Sequence, residues 1–172
     1  LAALDKLWDR ILHERQWPID RIVAISAAGQ QHASVYLAAG ALDALQSISS
    51  ARTLEEQLHT SLFSRHVVPN WQDATTLEEC AELMHSADER DTSLCETTGS
   101  IAHTRFTAAQ ILRWRRHHPA QYAQTERIQL VSNFVATMLT AGSEACMAPL
   151  DQSDACGMNL WDIKAGQWSA PL

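Results

Sequence analysis

The amino-acid sequence predicts an α/β fold in which helices flank a mixed sheet. Short, continuous apolar runs at residues 22–27 and 128–131 are typical of strands that are covered on both faces. Stretches with apolar side chains at helical spacing lie between and beside these runs, at residues 4–12, 77–84 and 134–139. Strand patterns that alternate with helix patterns along one chain are typical of α/β domains. A chain of 172 residues with 46% hydrophobic composition can bury one sizeable core.

The first predicted helix carries an apolar stripe and leads into the first strand. Apolar residues recur at helical spacing over residues 4–12, and Pro18 ends the pattern because the proline ring cannot continue the hydrogen-bond ladder. The strand at residues 22–27 follows. Residues 33–37 are expected to return beside it as a hairpin partner.

Three pairs of residues with the spacing of a capping box mark further helix starts. The pairs are Thr53 with Glu56, Thr76 with Glu79, and Thr107 with Gln110. The third helix must end before Pro119, which can open a new helix in its first turn. A strand at residues 128–131 leads to a helix that Gly142 stops. Residues 38–68 contain few strong turn or helix-boundary signals. We expect them to be an insertion and the most mobile segment.

Charge and composition argue against several classes of function. A formal net charge of −7 and a pI near 5.5 argue against nonspecific binding of nucleic acid, since no basic stripe is present to neutralise phosphates. The one basic cluster, residues 113–118, lies at the end of a predicted helix, where cations complement the helix dipole. The longest apolar stretch, residues 130–141, is interrupted by polar side chains and is far shorter than the roughly 20 residues of a membrane span. Four cysteines without C-x-x-C spacing fit reduced thiols in a cytoplasmic protein.

Four short motifs carry the information about function. They are Gly-Gln-Gln-His at residues 29–32, Trp-Gln-Asp at residues 71–73, Arg-Phe-Thr-x-x-Gln-Ile at residues 105–111, and the run at residues 151–162. The first motif places a cluster of polar side chains directly after a predicted buried strand, and this pattern indicates a ligand site. Together the motifs resemble the amino-terminal sugar-binding domain of the FGGY carbohydrate kinase family, and within it most strongly the xylulose kinases of eukaryotes. The resemblance covers nearly the whole chain.

The resemblance implies a ribonuclease-H-like fold, shared with actin and hexokinase, of which residues 1–172 would form an incomplete, internal portion. It implies that His32 and Arg105 contact a sugar, with Gln31 beside His32 and Asp73 shaping the pocket. An imidazole can donate one hydrogen bond and accept another, and a guanidinium offers five donors, so both suit the hydroxyl groups of a polyol. A helix-start or surface role for Asp73 remains an equal alternative.

The resemblance also implies an activity in which this chain would supply only the sugar-binding part. FGGY kinases use Mg²⁺ and transfer the γ-phosphoryl group of ATP, here to the 5-hydroxyl of D-xylulose. The family's catalytic aspartate element and nucleotide-binding domain do not occur in the sequence, so the chain alone is expected to bind neither ATP nor Mg²⁺ and to catalyse no transfer. Ala33 and Ala108 stand where the family usually has glycine.

Two interpretations besides a xylulose kinase remain open on the sequence. One is a kinase for a related sugar such as ribulose or glycerol, which would share the architecture. The other is a noncatalytic sugar-binding or interaction module derived from a sugar kinase. A calcium loop at residues 151–162 is not predicted, because its acidic residues lack the required spacing and the terminal glutamate.

Overall fold

The computed structural model describes residues 1–14, 17–58, 60–90 and 92–170. The helices are α1 (Ala2–Glu14), α2 (Ala41–Gln46), α3 (Leu54–Gln57), α4 (Leu77–Glu89), α5 (Leu94–Thr98), α6 (Thr107–His117), α7 (Pro119–Tyr122), α8 (Val131–Leu139) and α9 (Gln152–Cys156). The strands are β1 (Ser34–Ala38), β2 (Thr125–Leu130), β3 (Trp161–Asp162) and β4 (Gln167–Trp168). Two 3₁₀ turns lie at Ile19–Arg21 and Thr60–Leu62.

Strand β1 forms the central pairing of the molecule with β2. The two strands run antiparallel from the pair Ser34 and Leu130 to the pair Ala38 and Thr125, with an irregularity after Leu37. Strands β3 and β4 form a separate antiparallel hairpin. The mixture of helices and strands confirms the α/β prediction, while the pairings between the strands named above are all antiparallel.

The prediction of a buried strand at residues 22–27 is wrong for this structure. These residues form no strand, and Val23 is fully exposed while Ile22 and Ile25 are 47% and 56% exposed. An extended segment becomes a strand only when a neighbouring backbone bonds to it. The predicted hairpin partner does form as β1, but it pairs with β2 instead.

The core consists of two apolar clusters. The first packs around β1, α2 and α8 and contains Val35, Leu37, Ala41, Leu45, Leu58, Leu62, Met138 and Ala145. The second lies between α4, α5 and α6 and contains Leu83, Ala87, Leu94, Ala108 and Ala109. Four members of the first cluster belong to residues 38–68, so this segment is packed into the core. Its status as an insertion and its mobility stay predictions.

Helix α1 forms as predicted but buries none of its residues fully. Leu4 packs against the first cluster, whereas Leu7, Trp8 and Leu12 are about half exposed, at 55%, 44% and 48%. The carboxylate of Asp5 accepts hydrogen bonds from the backbone amides of Leu54 and Glu55 at 2.7 and 3.0 Å. Asp5 therefore ties α1 to the amino terminus of α3.

One of the three predicted capping boxes is present. Thr53 accepts from the amide of Glu56 at 3.2 Å, and the Glu56 carboxylate accepts from the amide of Thr53 at 3.1 Å. The other two pairs lie at helix starts but form no capping bond. Thr76 donates instead to the carbonyl of Thr104 at 2.5 Å, because that loop packs over the start of α4.

In α6, Thr107 is the first helical residue and Phe106 the cap, so the third capping box is wrong by one position. The Gln110 side chain donates to the carbonyl of Thr104 at 3.2 Å instead of returning to the helix start. The helix ends at His117, and α7 begins at Pro119, as predicted.

No helix within the described ranges combines the length and apolar character needed to cross a membrane.

Candidate functional site

His32 lies in the turn immediately before β1 and is only partly buried. Its backbone has a positive φ of 69°, a conformation that L-residues other than glycine rarely adopt. Ring atom Nδ1 is 3.2 Å from the carbonyl oxygen of Gly157, and the ring centroid is 4.7 Å from that of Phe106. The tertiary structure thus fixes the imidazole between the end of α9 and the start of α6.

Arg105 precedes Phe106 in the loop that opens α6, as the sequence predicted. Its side chain is partly buried, and its Nε atom is buried without a hydrogen-bond partner among the described residues. Buried donors are nearly always paired in folded proteins, so this unpaired guanidinium nitrogen is available to donate to a ligand or to an ordered water. The same loop carries His103, whose ring lies 5.6 Å from Phe106.

The pKa of His32 is lowered from its ordinary value of 6.5. Desolvation by burial is the largest cause, and the positive charge of Arg105 is the next. The bond to the Gly157 carbonyl acts in the opposite direction, and His103 adds a further lowering. The imidazole is therefore held neutral near pH 7.

Gln31 lies beside His32 over the same glycine. A Cβ on Gly157 would lie 2.4 Å from the Gln31 side-chain nitrogen and 3.4 Å from Cε1 of His32. Gly157 has an ordinary φ of −79°, and the atom nearest to such a Cβ is the far end of the exposed Gln31 side chain, which can move aside. Gln31, His32 and Arg105 are thereby brought to one region of the molecule.

The turn that carries Gly157 is itself anchored. The Asp151 carboxylate caps α9 by accepting from the amide of Ser153 at 2.8 Å. Asp154 accepts from the hydroxyl of Ser132 at 2.5 Å, which joins α9 to α8. Gly29 also packs against the start of α8, since a Cβ there would lie 2.5 Å from the amide nitrogen of Ser132. Residues 29–32 and α9 therefore share a common support on α8.

Asp73 lines a cleft that does not include His32. Its carboxylate accepts from the amide and hydroxyl of Thr75 at 2.9 and 2.6 Å. Burial by itself would raise the pKa of Asp73, but the bonds from Thr75 and Gln110 and the charge of Arg65 outweigh it and lower the pKa. Asp73 connects to the Arg105 loop only indirectly, because Gln110 also donates to the Thr104 carbonyl.

The cleft that contains Asp73 has a volume of about 490 Å³ and a basic lining. The lining residues are Arg65, Asp73, Thr75, Arg113, Trp114, His117 and His118. The guanidinium of Arg65 lies 5.1 Å from the ring centroid of Tyr36 and 4.8 Å from that of Trp114, and it donates to the Tyr36 hydroxyl at 3.3 Å. Arg65 therefore acts as a cation packed between two aromatic rings.

Some of the residues that make these contacts belong to the sequence motifs, and others lie outside them. Phe106 and Gly157 both belong to motifs that carried the resemblance, but nothing in the sequence showed that they touch His32. Arg65, Tyr36 and Trp114 lie in no motif, and no sequence signal joins them. Their contact depends on β1 and α6 coming together in space.

Comparison with known proteins defines the class to which the fold and this region belong. Residues 65–172, more than half of the chain, match the amino-terminal domain of the FGGY family of carbohydrate kinases. The chain belongs to the FGGY family. It is 48% identical over 164 residues to a xylulose kinase of Schizosaccharomyces pombe, and 46% identical over 172 residues to a probable D-xylulose kinase A of Neosartorya fischeri.

These alignments cover 95% and 100% of this chain but only 28% and 29% of the two relatives. The chain thus spans less than a third of the length of the relatives that it matches. Among solved structures, one described as a xyloylose kinase from Brucella ovis matches with a TM-score of 0.65 at 21% identity, covering 94% of this chain and 28% of that one. A xylulose kinase from Bifidobacterium adolescentis matches with a TM-score of 0.63 at 16% identity, covering 95% and 33%. These two likenesses confirm the fold as part of the actin- and hexokinase-like fold of sugar kinases.

Proposed function

We propose that this chain supplies the sugar-binding part of a D-xylulose kinase, which transfers the γ-phosphoryl group of ATP to D-xylulose. The observation that carries the proposal is the partly buried guanidinium of Arg105, whose Nε has no partner among the described residues, in a loop that also contacts His32. The relatives named as xylulose kinases support the choice of sugar.

The chemistry of these side chains suits a neutral polyol. A guanidinium can only donate hydrogen bonds, while a neutral imidazole both donates and accepts, so the pair can bind hydroxyl groups in both of their roles. A site of this kind rejects an analogue that lacks a hydroxyl, because the site's own polar groups would be left unpaired. Each such loss costs on the order of 1 to 3 kcal/mol. Gln31 adjoins this site, whereas the role of Asp73 in it is indirect.

ATP and Mg²⁺ are assigned to parts of the protein other than this chain. Within the described ranges, no three His, Cys, Asp or Glu side chains are grouped to hold a metal ion. Because the Mg²⁺ of a phosphoryl-transfer enzyme bridges phosphate oxygens of the nucleotide, we assign it to the part of the protein that binds ATP. We place the intact protein in the cytoplasm, where its free thiols would stay reduced.

The primary experiment measures ATP-dependent phosphorylation by the intact protein that contains this chain. D-Xylulose, D-ribulose, L-xylulose and glycerol are compared at equal concentrations. We expect selective turnover of D-xylulose. Selective turnover of D-ribulose or glycerol would assign the chain to a kinase for a related sugar, and binding of D-xylulose without any turnover would assign it to a noncatalytic module.

The variant Arg105→Ala tests the site itself. We expect KM for D-xylulose to rise about tenfold or more, since the loss of one or two charged hydrogen bonds costs at least ~1.5 kcal/mol. KM for ATP should be nearly unchanged. Arg115→Ala is the matched control, because Arg115 is an exposed arginine of the same region, in α6. An unaltered D-xylulose dependence in Arg105→Ala would remove Arg105 from the site.

A further inference from the structure

The hydrogen bond between His32 and Gly157 fixes the position of a proton. A carbonyl oxygen can only accept a hydrogen bond, so the 3.2 Å contact requires that Nδ1 of His32 carries hydrogen. A neutral imidazole has only one N–H group. Nε2 is then unprotonated, and its lone pair is available as an acceptor.

Nε2 is the ring nitrogen of His32 that remains for a ligand. No residue in the described ranges hydrogen-bonds to it, and His32 is only partly buried. Protonation of this atom is opposed, because burial first and the charge of Arg105 second lower the pKa of the ring. The charged and titratable groups facing the imidazole are Arg105 and His103.

We propose that the Gly157 carbonyl is a positioning group that fixes His32 as the Nδ1–H tautomer, so that Nε2 accepts a hydrogen bond from a hydroxyl of the sugar. This inference rests on the proposed function for the identity of the ligand. The division of roles is then complete: His32 accepts from one hydroxyl, and Arg105, which can only donate, binds an oxygen lone pair. A substituent that cannot donate, such as fluorine, would not replace the hydroxyl at His32.

Neighbouring contacts fix the position of the Gly157 carbonyl. Gly157 follows α9, and its amide donates to the Asp154 carbonyl at 3.2 Å while the Asp154 carboxylate is bonded to Ser132. A side chain at position 157 would displace the end of the Gln31 side chain. The positive φ of His32 and the ring contact with Phe106 orient the imidazole toward this carbonyl. The tautomer is therefore a consequence of tertiary structure.

The first test reads the tautomer directly and needs no catalysis. Nitrogen-15 NMR of the intact protein, labelled at histidine, distinguishes protonated from unprotonated ring nitrogens, and the His32 signals are assigned by their loss in His32→Gln. At pH 8 we expect a protonated Nδ1 and an unprotonated Nε2. A protonated Nε2 with an unprotonated Nδ1 would overturn the proposal.

The second test uses two amide side chains that imitate different halves of the ring. The Asn side chain places its amide near Nδ1 and keeps the bond to Gly157, whereas the longer Gln side chain reaches the position of Nε2. We expect His32→Asn to weaken D-xylulose binding about tenfold with an unfolding temperature close to that of the wild type. His32→Gln should retain more D-xylulose affinity and lose more thermal stability.

The opposite ranking would show that His32 acts only through Gly157 and would overturn its role as an acceptor for the sugar. The outcomes also separate this inference from the proposed function. The Nδ1–H tautomer in a protein that neither binds nor phosphorylates D-xylulose would contradict the proposed function and support the positioning role of Gly157. Turnover of D-xylulose by a protein whose His32 carries the proton on Nε2 would support the proposed function and contradict the positioning role of Gly157.

Discussion

Neighbouring residues decide the roles of single side chains in this molecule. Glu79 has the spacing of a capping residue, yet its side chain is fully buried and accepts from Nη1 of Arg116 at 2.9 Å. Arg116 also pairs with Glu82, and Arg113 approaches Glu79 at 3.9 Å. The basic end of α6 therefore pairs with acidic residues of α4 in addition to complementing its own helix dipole. A buried carboxylate is tolerated only with such partners.

The lowered pKa of His32 predicts a pH dependence of stability. Because the folded pKa lies below the ordinary 6.5, the unfolded chain binds the proton more readily. The stabilising contribution is complete above pH 6.5 and is lost as the pH falls through the lowered folded pKa. We expect the unfolding midpoint to decrease over this interval, and His32→Gln to reduce that decrease.

The measurement is chemical denaturation of the intact protein at a series of pH values between 8 and about 5, within the window set by linkage. His66→Gln is the matched control, since His66 is exposed. An equal pH dependence in wild type and His32→Gln would contradict the lowered pKa of His32.

Capping signals in the sequence predicted where helices begin better than they predicted which groups bond to those helix starts. Thr53 does cap its helix, but Thr76 marks a helix start while bonding to a distant loop. The amides at the start of α3 bond to Asp5, which lies about 50 residues away in α1. No capping signal in the sequence contains Asp5.

We predict that Asp5→Ala loosens α1 from the rest of the molecule. Two amides at the start of α3 would lose their acceptor, and α1 has no fully buried residue to compensate. The expected loss is about 1 kcal/mol of unfolding free energy, typical of a removed helix cap. Limited proteolysis should cut within α1 faster than in the wild type.

Asp9→Ala is the control for this variant, because Asp9 is exposed and, among the described residues, pairs with His13 of the same helix. Equal cleavage rates and stabilities for the two variants would show that Asp5 does not attach α1. A loss confined to Asp5→Ala is the expected result.

For the whole molecule, burial separates residues that look equivalent in the sequence. Leu77 begins a predicted apolar stripe and Leu45 lies in the predicted insertion, yet Leu45 is fully buried in the first cluster and Leu77 is 70% exposed. We predict that Leu45→Ala costs about 2 to 5 kcal/mol, through lost burial and the cavity left behind. Leu77→Ala should stay within about 0.5 kcal/mol of the wild type.

Urea denaturation of the intact protein measures both variants. The difference between them is the informative quantity, because both remove the same atoms. A large loss in Leu77→Ala would mean that another part of the protein covers α4, and a negligible loss in Leu45→Ala would contradict the core around β1 and α2.

The sequence by itself determined the α/β class, the starts of α4, α6 and α7, and the motifs at residues 29–32 and 105–111 that indicate the family. These features depend on helical periodicity, on proline and on short motifs, so a few neighbouring residues contain them. Only the tertiary structure decided that β1 pairs with β2, that residues 22–27 form no strand, and that Gly157 contacts His32. The last contact joins residues 125 positions apart. Such contacts follow from which backbone groups and side chains meet in space, and that depends on the packing of the whole chain.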